Sequence, residues 1–112
     1  TRSVPFVQEG KCPDGIVRST HCMEIAFVFD NIARCASMTG GGKDAQALAD
    51  KMSSAWIQFA RTGNPNVEGL PTWEPYTVEK GATMIFNNQS EIKYNQDKEL
   101  MQFISKFPMR GF

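Results

Sequence analysis

Between Lys43 and Thr62 the chain repeats apolar residues at alternating steps of three and four: Ala45, Leu48, Ala49, Met52, Ala55, Trp56, Phe59 and Ala60. That spacing places all of them on one stripe of an α-helix. Lys43, Gln46, Asp50, Lys51, Ser54, Gln58 and Arg61 fall on the other face. Gly63 is placed to take the left-handed conformation at the helix end, and Pro65 then prevents continuation. Burying each of Leu48, Met52, Trp56 and Phe59 is worth roughly 1.5–3 kcal/mol. A stripe of that size requires a partner surface, and this requirement constrains the rest of the chain.

The partners on offer are short. Ser3–Val7 leans to β structure, with Pro5 restricting it to an edge strand or a strand start. Pro13-Asp14-Gly15 suits a turn, and Ile16–Thr20 reads as an extended lead-in to His21. Met23–Asn31 is apolar on almost every side, compatible with a short buried helix or a strand, and Asp30-Asn31 supplies its stop. Ala33–Gly42 has no period and ends in three glycines, which predicts a flexible loop.

The second half begins with an irregular connector, Asn64–Val78, whose fifteen residues hold three prolines and one glycine. Trp73 and Tyr76 are its aromatic anchors, and both are expected in the core together with Trp56 and Phe59. Ala82–Phe86 and Glu91–Tyr94 read as two strands of a hairpin turning at Asn87–Ser90. Leu100, Phe103, Ile104 and Phe107 then recur at helical spacing within Asp97–Phe107, with Asp97 as N-cap and Pro108 as the stop.

Composition narrows function. The 112 residues carry 12 Lys+Arg against 12 Asp+Glu, so no excess of positive charge attracts phosphates, and nucleic acid or an anionic membrane is not an expected partner. Ile25–Phe29, the longest apolar run, is far short of the ~20 residues that span a bilayer. Three cysteines, Cys12, Cys22 and Cys35, cannot all pair within the chain, and free thiols or at most one bridge are expected. Their spacing fits no zinc site, the glycine run lacks the pattern of a phosphate loop, and neither a metal nor another cofactor is expected.

His21 is the single histidine, so acid–base chemistry by imidazole has one seat. Glu24 lies three residues on, within reach on one helical turn. Cys22 is adjacent to His21, but neighbours on an extended segment point apart, which disfavours a Cys-His dyad. No G-x-S-x-G, the turn that exposes a serine nucleophile, occurs.

These residues carry a resemblance. His21–Phe29 (HCMEIAFVF) resembles the catalytic-histidine segment of type-B carboxylesterases, the cholinesterase-like branch of the α/β-hydrolases. Gln46–Asn66 is similar to that family's helix with its W-x-x-F-A-x-T-G-x-P ending, and Leu70–Thr77 and Ala82–Phe86 to the segments after it. Ala26 stands where the family usually has proline.

The resemblance implies an α/β class, with residues 1–112 as the C-terminal portion of one α/β-hydrolase catalytic domain and Ser3–Val7 as its last sheet strand. It implies that His21 is the base of a serine triad, Glu24 a nearby supporting carboxylate and Met23 a wall of the alcohol pocket. Serine, triad acid and oxyanion donors would belong to an N-terminal part not contained in this chain, which becomes the expected partner alongside the ester substrate. Two other readings remain: a non-catalytic adhesion module of the same fold, and an independent small α+β domain. For the chain alone, no ester hydrolysis and self-association through open apolar surface are expected.

Overall fold

A computed structural model describes residues 22–107. His21, Ser3–Val7, the turn at Pro13–Gly15, the lead-in Ile16–Thr20, Cys12 and Pro108 lie outside the described residues. The described chain runs α1 (Ile25–Val28), a 3₁₀ turn (Ile32–Cys35), α2 (Ala36–Thr39), α3 (Lys43–Thr62), β1 (Thr83–Ile85), β2 (Glu91–Lys93) and α4 (Lys98–Ile104). None of these helices is long and apolar enough to cross a membrane.

The ambiguous segment Met23–Asn31 resolves as helix. It ends because Asp30 turns left-handed (φ 53°). The Asp30 amide then donates to the Phe27 carbonyl at 3.2 Å and the Asn31 amide to the Ala26 carbonyl at 2.8 Å. This paired closure satisfies carbonyls that a helix end otherwise leaves open.

The expectation of a loop over Ala33–Gly42 is corrected. Ile32–Cys35 and Ala36–Thr39 form two single turns of helix, too short to show a sequence period. Buried Thr39 donates its hydroxyl to the Cys35 carbonyl at 3.1 Å and accepts the Gly41 amide at 3.3 Å. Gly41 sits at φ 64°, where an added Cβ would stand 2.8 Å from the Ala36 Cβ. The glycines therefore build a tight turn.

Helix α3 spans Lys43–Thr62, and Gly63 closes it at φ 74°, its amide bonding the Phe59 carbonyl at 2.7 Å. The core gathers on the N-terminal half of its stripe: Ala45, Leu48, Ala49 and Met52 pack with Ala26, Phe27, Ile32, Met84 and Phe86. Met84 from β1 and Phe86 just after it, two residues apart along the extended chain, both reach this cluster. Strands β1 and β2 pair antiparallel with Met84 opposite Ile92; β1 is one residue shorter at each end than the hydrophobic pattern suggests, and β2 ends one residue early at Lys93.

Beyond Met52 the stripe loses cover. Ala55 is still buried, but Trp56, Phe59 and Tyr76 are 38%, 57% and 67% exposed, so the cover expected for these rings is not supplied within this chain. Trp73 is partly buried against the core cluster, and Trp56 touches it through Phe86. The reason is length: twenty residues of helix extend about 30 Å, and α1 with the hairpin covers only part of that. Helix α4 buries no residue, and Leu100, Phe103, Ile104 and Phe107 are exposed. Asp97 occupies its N-cap position in a left-handed conformation, without a side-chain capping bond.

Candidate active site

The segment that follows His21 is held by backbone geometry. Cys22 is exposed and takes φ 68°, and its carbonyl accepts the Ile25 amide at 3.3 Å. The Glu24 carbonyl accepts the Phe27 amide at 3.0 Å and the Val28 amide at 2.9 Å, so Glu24 begins the turn that becomes α1. Met23 is buried and Glu24 half-buried, with no described residue hydrogen-bonding the Glu24 carboxylate. Cys22 and Cys35 are free thiols.

Helix α1 docks on α3 through Phe27, which is fully buried, and Ala26. Ala45 and Ala49 face it from α3, one helical turn apart, and their small side chains let the two backbones come close. A second tie is polar: Gln46 donates from Nε2 to Asp30 Oδ1 at 2.6 Å and to Asp50 Oδ1 at 2.9 Å. Met23, Glu24 and the start of α1 thus form one unit on the N-terminal half of α3.

An apolar hollow lies elsewhere. Trp56, Phe59, Gly63, Pro65, Trp73 and Tyr76 border an apolar cavity of about 560 Å³ at the C-terminal end of α3. Phe59 is ten residues beyond Ala49, which is roughly 15 Å along the helix axis. The connector shapes this hollow. The Asn66 side-chain amide donates to the Trp73 carbonyl at 3.0 Å and its Oδ1 accepts the Trp73 amide at 2.5 Å, as a strand partner would. Trp73 then meets Phe86 edge-on at 5.8 Å, and Trp56 meets the same ring at 6.0 Å. Its described lining is mainly apolar and aromatic, with the Glu74 carboxylate at one side, which suits it to binding an apolar group.

At its margin Tyr94 donates to Glu74 Oε1 at 2.5 Å, and Lys80 Nζ bonds Glu74 Oε2 at 3.0 Å. The Tyr94 bond first, then that from Lys80, holds the Glu74 carboxyl below its ordinary value. The bond to Glu74 raises both Lys80 and Tyr94. Among the described residues no three His, Cys, Asp or Glu side chains stand together as metal ligands.

Sequence reasoning passed over the hollow, the Glu74 network and the Gln46 tie. The tie had one legible half, since Gln46 and Asp50 are four apart on a helix. Its other half joins residues sixteen apart, which no local spacing marks.

Comparison with known proteins supplies context for this unit. The profile of the carboxylesterase family matches residues 4–104. Para-nitrobenzyl esterase of Bacillus subtilis (strain 168) is 31% identical over 96 residues, which cover 84% of this chain and 19% of that protein. A solved PNB esterase superposes with a TM-score of 0.71 at 31% identity, over 81% of this chain and 19% of its own. A solved esterase from anaerobic Clostridium hathewayi, described as able to hydrolyze aliphatic aromatic polyesters, gives a TM-score of 0.70 at 32% identity, over 84% and 19%. The chain therefore spans about a fifth of the length of these proteins. The structural neighbours are esterases of the α/β-hydrolase fold, which agrees with the expected fold class.

Proposed function

The chain belongs to the carboxylesterase family, and from that premise we propose that it forms the C-terminal part of a serine carboxylic-ester hydrolase and contributes the triad histidine, His21. The imidazole takes the proton from the serine hydroxyl as its oxygen attacks the ester carbonyl, then gives that proton to the departing alcohol. In the second half-reaction it takes a proton from water, whose oxygen attacks the acyl-serine, and returns that proton to the serine. A group that titrates near neutrality performs both transfers at one pH. Serine, triad acid and the amides that stabilise the oxyanion are contributed by residues outside the 112.

Glu24 supports His21 by field and orientation, without being the triad acid, which in this fold precedes the histidine in chain order and follows the serine. Met23 walls the alcohol side of the pocket. The reaction calls for no cofactor, and the partners are the ester substrate and the remainder of the hydrolase domain.

The match to an esterase at 31% identity over 96 residues is the observation that carries this reading. Its test is hydrolysis of a short-chain nitrophenyl ester by the complete protein. Turnover that ceases in His21→Ala, while the serine is still modified slowly by a fluorophosphonate, is the expected result. Undiminished turnover in His21→Ala would remove His21 from the mechanism.

A further inference from the structure

Helix α1 is a single turn of four residues, too short to hold its own orientation. Apolar docking on Ala45, Leu48, Ala49 and Met52 brings it to α3. Apolar contact is not directional, and the small Ala45 and Ala49 side chains offer little to key the orientation of so short a helix. The direction comes from the polar tie at its end.

Asp30 is joined rigidly to α1 by the two closing amide bonds, its own to Phe27 and that of Asn31 to Ala26. Its side chain is in turn held by Gln46 at 2.6 Å, and Gln46 is held by Asp50 on its own helix at 2.9 Å. Any displacement of Asp30 moves α1 as a body, including Glu24, which immediately precedes its single turn. The chemistry of the three residues is specific. Two carboxylates converge on one neutral amide nitrogen, which a glutamate at the same place could not satisfy because it offers only acceptors when ionised. Asp30 must also tolerate a left-handed backbone, which aspartate and asparagine do better than other side chains carrying a Cβ.

Building on the role proposed for Glu24 and His21, we propose that Gln46 and Asp30 are positioning residues for the hydrolase reaction, a bracket that fixes where α1 presents Glu24 relative to α3. An exposed hydrogen bond adds little to global stability, so the consequence of losing it falls on geometry. Misplacing a reacting group by a fraction of an ångström lowers turnover more than binding.

The test compares Gln46→Glu, Asp30→Ala and Asp30→Asn in the complete hydrolase, with kcat normalised to the serine titrated by a fluorophosphonate so that unfolded protein does not count. Gln46→Glu and Asp30→Ala are expected to lose kcat by roughly tenfold, with KM nearly unchanged and the acid limb of the pH profile displaced. Asp30→Asn keeps an acceptor oxygen and the backbone tolerance, and is expected to restore most of the rate. Unchanged titrated kcat and pH limb in both disruptive variants would overturn the proposal, as would an Asp30→Asn enzyme no better than Asp30→Ala. His21→Ala, measured alongside, separates the two claims. If it remains active the catalytic reading itself fails, and if it is inactive while the bracket variants are normal, only the bracket fails.

Discussion

Tyr94 donates its phenolic proton to Glu74 across twenty residues of chain, joining the end of the hairpin to the proline-rich connector. Lys80 holds the other oxygen of the same carboxylate. Glu74 sits below its ordinary 4.5, so its contribution is present above that value and is lost as pH falls through the lower folded value. Lys80 and Tyr94 are raised, so theirs is present below 10.5 and 10.0 and is lost as pH rises through their higher folded values. The network is therefore intact across the neutral range. Tyr94→Phe is expected to shift Glu74 titration upward, toward its ordinary value, and to lower thermal stability slightly near neutrality. That difference should narrow in acid. A stability gap as wide at pH 3 as at pH 7 would show that the phenol acts by packing alone.

Phe27 is the ring through which α1 meets α3, and it is fully buried. Phe27→Ala in the complete protein is expected to cost about 3–5 kcal/mol, through lost transfer energy and the void left behind. Phe29, two positions on, is 69% exposed here, and Phe29→Ala should cost less unless other parts of the domain cover it. Chemical denaturation of both variants checks the ranking. An equal cost for the two would mean that Phe29 is also buried in the complete domain.

The two polar residues proposed for the site should separate in kinetics. In the complete enzyme, His21→Ala is expected to lower kcat on the order of 10³-fold or more, since the serine loses its base. Glu24→Gln keeps the shape and removes the charge, so its loss should be far smaller. Equal losses, measured as kcat at saturating substrate, would reverse the roles assigned to them.

How much of this was legible in the sequence depends on the length of each element. Lys43–Thr62 was readable to the residue, because twenty positions sample the helical period more than five times and Gly63 marks the end. The hairpin was readable because two short β-prone runs flank the polar turn Asn87–Ser90. The two turns between Ile32 and Thr39 were not, since four residues display no period and their cohesion comes from the Thr39 hydroxyl. Trp56, Phe59 and Tyr76 stay partly open for another reason. Apolar identity shows that a side chain seeks cover, while the cover itself belongs to tertiary structure. Glu24 was legible as a site candidate by its three-residue spacing from His21, and Met23 only through the family pattern around His21. The Gln46–Asp30 bracket was invisible because it depends on where α1 lands.

Exposed apolar surface sets the expectation for the 112-residue chain on its own. Trp56, Phe59 and Tyr76 border one hollow, Leu100, Phe103 and Ile104 lie on α4 and Phe107 follows it, all of them at least 38% exposed. Contiguous apolar surface of this kind draws proteins into association unless something else covers it. The chain is expected to self-associate in light scattering and to bind a hydrophobic dye. Phe59→Ser with Phe103→Ser should reduce both signals, since the two changes fall on the two separate patches. The same chain should not hydrolyse nitrophenyl esters, because it holds no G-x-S-x-G to present a serine. A dye-silent monomer with a cooperative melt would instead identify an independently folded domain. Turnover abolished by His21→Ala in the isolated chain would require a nucleophile among these 112 residues, and the assignment of the serine to another part of the protein would fail.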